Sequence, residues 1–163
     1  MATVVSLSAG PGEWTPHGKR LIAQSMYMKG KAFIGAALLL RRRDGYEYVV
    51  LHLLCQGIEV LGKGYLLLVN YDAHKPKLRK YGHNLVKLVA AVETAMHEPI
   101  LKAVVRTELE VLSSLYSQHL LRYGSGYDVL VNPNTIPSGR VLSRVAALLR
   151  VVERKGIDHE QAI

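Results

Sequence analysis

The sequence predicts an all-α fold, an antiparallel bundle of about five helices in a single domain. Three observations carry this expectation. Apolar residues return at steps of three, four and seven over long stretches of chain. The six prolines all fall between those stretches or at their ends. No two segments offer a convincing strand pair, and 163 residues is near the common size of one domain.

Residues 1–18 hold Gly10, Pro11, Gly12, Pro16 and Gly18, which interrupt the chain too often for a long element. They are expected to form a flexible N-terminal arm, with residues 19–158 as the helical-bundle domain. From about Leu21 to Arg42, Leu21, Ile22, Met26, Phe33, Ala36, Ala37 and Leu40 recur at helical spacing, and Asp44-Gly45 closes this first helix. Tyr46 to Tyr71 is the most apolar segment. Its length suits a membrane span, but His52, Gln56, Glu59 and Lys63 interrupt it, and ionisable groups are costly in lipid. At steps of four, three and four they form one polar stripe on an apolar cylinder, which predicts a central core helix. Gly57 and Gly64 lie away from that stripe, where a neighbouring helix can approach.

Residues 72–82 break the pattern with Pro76 and Gly82. Asn84 then caps a third helix carrying Leu85, Leu88, Val89, Val92 and Met96. Glu98-Pro99 is expected to start a fourth, with Leu101, Val104, Val105, Leu109, Leu112 and Tyr116 inward and its end near Arg122. Tyr123 to Gly139 reads as an extended loop. From Ser138 or Gly139 a fifth helix puts Val141, Leu142, Val145, Leu148, Leu149 and Val152 on one side and Arg140, Arg144, Arg154 and Lys155 on the other.

Lys and Arg outnumber Asp and Glu by 21 to 13, a formal charge of +8 that favours polyanionic partners. Nine of the eleven aromatic residues are tyrosines, suited to half-wet positions where the ring packs and the hydroxyl finds a partner. Cys55 is the one cysteine, so no disulfide forms within the chain; the thiol is expected to be buried and the compartment a reducing cytoplasm. Met1 to Lys19 does not read as a secretory signal.

Two constellations bear on chemistry. Ala73 to Val92 contains Lys75, Lys77, Arg79, Lys80 and Lys87 with no carboxylate and leads into a helix N-terminus, where cations and free backbone N–H groups suit a phosphate. Lys75 to Lys80 then grip a nucleic-acid backbone and Tyr81 stacks on a base, or the run is simply a solvated basic loop. The stripe His52, Gln56, Glu59 and Lys63 lines a polar pocket or fixes helix register through a Glu59–Lys63 pair. The seven histidines are scattered and make no metal motif, so no metal site and no cofactor are expected. Neither a phosphate-binding glycine loop nor a Gly-x-Ser-x-Gly turn is present.

The helix Leu53-Leu54-Cys55-Gln56-Gly57-Ile58-Glu59-Val60-Leu61-Gly62-Lys63-Gly64 resembles the HEPN-domain helix whose apolar repeat carries a Glu-x-x-x-Lys core. Tyr81-Gly82-His83-Asn84-Leu85-Val86-Lys87-Leu88 resembles the Gly-His-Asp/Asn-Leu-x-x-Leu start of the next HEPN helix, and Leu112 to Tyr123 the later Leu-x-x-x-Tyr and Arg-Tyr segment. The preceding long helix also ends in a small-residue and leucine run, and together these pieces span roughly residues 20–150. The resemblance implies a helical bundle, frequent dimers through helix faces, and links to RNA, nucleotides or toxin and defence systems. A HEPN-like module engaging RNA or a nucleotide through Lys75, Lys77, Arg79, Lys80 and His83, joined by Arg122 and Tyr123, is the leading expectation, with a homodimer as its form. Ribonuclease members carry Arg, four to six residues, then His, with Asn often after the Arg, and cleave without metal. Here Arg79 and His83 are only three residues apart, and Arg154 and His159 have Gly156 between them; neither pair has the Asn. Metal-independent RNA cleavage with Arg79 and His83 as candidates is thus the alternative, and a protein-interaction subunit that ignores nucleic acid is a third.

Overall fold

The computed structural model describes residues 14–123 and 126–160, with side chains as far as residue 150. Within them every regular element is helical, and five long helices form the bundle.

α1 runs Pro16–Arg42. Thr15 accepts the Gly18 N–H on its hydroxyl and Pro16 takes the first helical position, so the helix starts earlier than its apolar periodicity and absorbs the end of the expected arm. The rest of that arm, residues 1–13, lies outside the described residues. α1 closes where Asp44-Gly45 predicts, with Asp44 left-handed and the Gly45 N–H on the Leu40 carbonyl. α2 follows over Glu47–Val69 and is the central helix: Val50, Leu51, Leu54, Cys55 and Leu66 have no exposed surface. It is long and apolar enough to cross a membrane, but here α1 and the later helices Leu85–Met96 and Ala103–Ser117 pack around it. Two glycines set the closeness of α1 to α2. A Cβ on Gly30 would overlap the Leu61 backbone, and one on Gly64 the Tyr27 backbone.

The segment 72–82, expected as a plain break, is wound helically: α3 (Tyr71–His74), a 3₁₀ turn (Lys75–Lys77) and α4 (Leu78–Tyr81) follow in succession. Gly82, at φ 51°, ends the winding. Asn84 then caps α5 (Leu85–Met96) by accepting the Lys87 N–H at 2.9 Å, as predicted.

α6 covers Ala103–Ser117, not Pro99 to Arg122. The Glu93 carboxylate holds the segment before it, accepting the Ile100 and Leu101 N–H groups at 3.0 and 3.2 Å, and both of its oxygens meet Arg106 at 2.8 Å. The first turn of α6 forms only after Lys102. Val104, expected inward, is therefore 48% exposed. Left-handed His119 closes the helix at the other end. Between α6 and α8 the chain is coiled rather than extended, with α7 (Gly126–Leu130) and a 3₁₀ turn (Pro133–Thr135). The Tyr48 hydroxyl ties it down by donating to the Val131 carbonyl at 2.7 Å. α8 (Gly139–Glu160) starts on a cap supplied from α6: the Glu108 carboxylate accepts the Arg140 and Val141 N–H groups. The side chains of Val152, Arg154, Lys155 and His159 lie outside the described residues.

Candidate functional site

The polar stripe of α2 does not face open water. Glu59 is buried, and every hydrogen bond to its carboxylate comes from a different direction. Lys63, one turn on, donates to Oε1 at 2.6 Å. The Tyr116 hydroxyl of α6 donates to Oε2 at 2.7 Å, and His83 Nδ1, just before α5, sits 3.0 Å from the same oxygen. Gln56 Oε1 lies 2.8 Å from the Tyr116 hydroxyl, and the Lys63 ammonium also donates to the Gly82 carbonyl at 3.1 Å. Helix α6 and the loop at His83 are thus pinned to one carboxylate of α2, and Lys63 ties Gly82 to the same point.

The electrostatics follow from this arrangement. Burial pushes the Glu59 carboxyl up, but hydrogen bonds from Lys63, His83 and Tyr116 outweigh it and hold the pKa below the ordinary value. Glu59 is an anion at neutral pH. Burial, then the neighbouring Glu59 charge, raises the Tyr116 hydroxyl well above its usual range, so it stays a neutral donor.

A second layer surrounds the Tyr116 ring. The Arg122 guanidinium lies over it at 5.5 Å from the centroid. His83 meets it edge-on at 5.3 Å and His52 is tilted against it at 6.0 Å. His119 stands edge-on to His83 at 5.2 Å. The His52 Nδ1 atom is buried without a hydrogen-bond partner, and burial followed by the charge of Arg122 lowers the His52 pKa. One anion, two cations and three imidazoles therefore share a single region.

Of the residues singled out in the sequence, His52, Gln56, Glu59, Lys63, His83 and Arg122 are brought together. Arg79 is not one of them: it is exposed on α4, while left-handed Gly82 turns the following His83 inward to Glu59. The separation of the Arg79–His83 pair thus has a local backbone cause. Lys77 and Lys80 are exposed with Arg79, and Tyr123 is 71% exposed beside Arg122. Tyr81, a candidate stacking residue, is half-buried against the core. Lys75 lies over the Tyr71 ring at 5.6 Å, with Lys19 of α1 over the same ring at 5.9 Å. Lys75 also lines a mostly apolar groove of about 620 Å³ with Lys29, Phe33, Val60 and Gln56, the last of which meets the Tyr116 hydroxyl.

Sequence reasoning missed Tyr116 as a polar partner, His119, and the α1 cations. Tyr116, His119 and Arg122 recur at steps of three, a signal hidden because the helix was expected to continue past Ser117. Among the described residues no group of three or more His, Cys, Asp or Glu is placed to hold a metal ion. Comparison with protein-family models, with curated proteins and with solved structures finds no match for this chain.

Proposed function

We propose that this chain is a HEPN-like helical module of a reducing cytoplasm that binds RNA or a nucleotide through its basic surface. One observation carries the reading. The acid-free run from Ala73 to Val92 sets exposed Lys75, Lys77, Arg79 and Lys80 just before His83, which enters the cluster that Lys63, Arg122 and His119 share around the Tyr116 ring. The exposed cations suit a phosphate backbone, and the exposed Tyr123 ring beside Arg122 suits stacking of a base. The resemblance adds support, because Glu59, Lys63, Gly82, His83, Tyr116 and Arg122, which carry it, meet at this cluster.

The test is fluorescence anisotropy with a labelled single-stranded RNA. About four phosphate contacts predict an affinity loss of about 50-fold between about 50 and about 200 mM salt. Replacing Lys75, Lys77, Arg79 and Lys80 together by Ala removes most of that salt dependence. Affinity unchanged by salt and by these substitutions contradicts the reading.

A second reading, metal-independent cleavage of RNA, is favoured by the edge-on contact of the His83 and His119 rings. In this reading His83, oriented by Glu59, takes the proton of a 2′-hydroxyl as its oxygen bonds to phosphorus. The bond from phosphorus to the 5′-oxygen breaks, and protonated His119 gives that oxygen its proton, leaving a 2′,3′-cyclic phosphate and a 5′-hydroxyl. Arg122 and Lys63 offset the charge on phosphorus. His119, not Arg79, then partners His83. The expected result is cleavage in EDTA that His83→Ala and His119→Ala abolish while binding persists; intact RNA, or cleavage by both variants, contradicts it.

A further inference from the structure

The outer face of α1 is distinct from the Tyr116 cluster and carries a second pattern. Leu21, Ser25, Met28, Ala32, Gly35 and Leu39 follow one another at steps of four, three, four, three and four, the spacing of a coiled-coil seam. This seam is turned to solvent. Leu21, Met28 and Leu39 are 51, 57 and 65% exposed, Ser25 and Ala32 are exposed, and a Cβ built on Gly35 meets nothing within 4 Å. Exposed large apolar groups at regular spacing on one helix are unusual where nothing covers them. The inward face of α1 is already spent on α2, through Ala23, Gly30, Ile34 and Ala37.

Charge selects the occupant. From Trp14 to Arg43 the chain has seven Lys and Arg and no Asp or Glu. Exposed Lys29 borders the seam on one side, and exposed Arg20 and Arg42 border it on the other. A second copy of α1 laid on this face would set cations against cations at the flanking positions, an arrangement that costs several kcal/mol in an interface. A lipid surface gains most from large apolar side chains. The middle of this seam is Ala32 and Gly35, small residues that bury little area but let another helix come close.

We propose that the outer face of α1 docks an amphipathic helix of a partner protein, with apolar residues in the seam and carboxylates flanking it. The seam supplies register through Leu21, Met28 and Leu39, and Arg20, Lys29 and Arg42 select an acidic partner over a basic one. This inference does not rest on RNA binding: Leu21, Ser25 and Lys29 share a groove with Lys75, but the seam has no part in the cluster around Glu59.

The experiment uses the full chain and a fluorescein-labelled synthetic helix of about four heptads, with Leu at the seam positions and Glu at the flanking ones. A matched peptide with Lys in place of Glu serves as control. The Glu peptide is expected to bind saturably and the Lys peptide not at all. Ala32→Glu, which blocks the seam at a solvent-exposed position, weakens binding by about tenfold or more, whereas Val111→Glu, at an exposed position of α6, leaves it unchanged. Circular dichroism checks that both variants keep their helix content. Equal binding of both peptides, or Glu-peptide binding that ignores Ala32→Glu, overturns the proposal. So does a dimer in sedimentation that Ala32→Glu dissociates, which would make the occupant a second copy. Binding to phosphatidylglycerol vesicles without any binding of the Glu peptide overturns it as well.

Discussion

At the residue scale, Glu59 holds the molecule's polar interior. A buried carboxylate survives only when its charge is met, and here Lys63, Tyr116 and His83 meet it together. Glu59→Ala leaves the Lys63 ammonium, only 14% exposed, without its carboxylate, and is expected to lower unfolding free energy by about 3 kcal/mol in urea titration. Tyr116→Phe removes one donor while keeping the ring, and is expected to cost about 1 to 2 kcal/mol. A Tyr116→Phe loss equal to that of Glu59→Ala would mean that the hydroxyl, not the ion pair, dominates. The Glu59–Lys63 pair was legible in the sequence because helix geometry places positions four apart side by side. Tyr116 was not, because its partner lies 57 residues away on another helix. Local periodicity marks only that such a ring points inward.

At the element scale, caps fixed some boundaries and tertiary contacts moved others. Asn84 and Asp44-Gly45 act within a single turn, so they could be read directly. Pro99 misled: residues 99–102 form a non-helical link tied to the Glu93 carboxylate of the preceding helix, a tertiary contact that a proline signal does not record. The α1 pattern was harder to divide. Leu21 and Ala36 have the same helical spacing as Phe33 and Ala37, yet they lie on the exposed side. Burial depends on where α2 sits, which periodicity along α1 does not record. Two of the glycines of α1 give a paired prediction. Gly30→Ala forces a methyl into the Leu61 backbone and is expected to destabilise by about 2 kcal/mol, even though Ala is the better helix former. Gly35→Ala meets open space and is expected to stabilise by up to about 1 kcal/mol. Melting temperatures of the two variants moving in the same direction would contradict this close approach of α1 to α2.

At the scale of the whole molecule, the all-α bundle was legible from apolar spacing and proline placement, whereas the convergence of six polar residues on one ring was not. Convergence depends on how helices pack, and only the family resemblance hinted that those segments belong together. The packing also sets a pH dependence. The His52 pKa is lowered, so as pH falls below the ordinary histidine range the unfolded chain binds a proton that the folded chain resists, and stability declines. The Glu59 and Glu93 carboxyls are held low, burial being outweighed by Lys63, His83 and Tyr116 at one and by Arg106, Leu101 and Ile100 at the other. Their contribution is complete above the ordinary carboxyl range and is lost as pH falls through their lowered pKa values. Thermal unfolding from pH 8 towards acid is therefore expected to show an early decline that His52→Gln removes and a later one that it leaves. A single decline unaffected by His52→Gln would contradict the assignment.

The central claim is that the cluster around Tyr116 is where RNA or a nucleotide binds, and the histidine ring signals in an NMR titration with single-stranded RNA test it most directly. The account predicts that His83 and His119 shift saturably with the affinity found by anisotropy, while His17 and His97, which lie outside the cluster, stay in place. Shifts at His17 or His97 with His83 and His119 unmoved would contradict it.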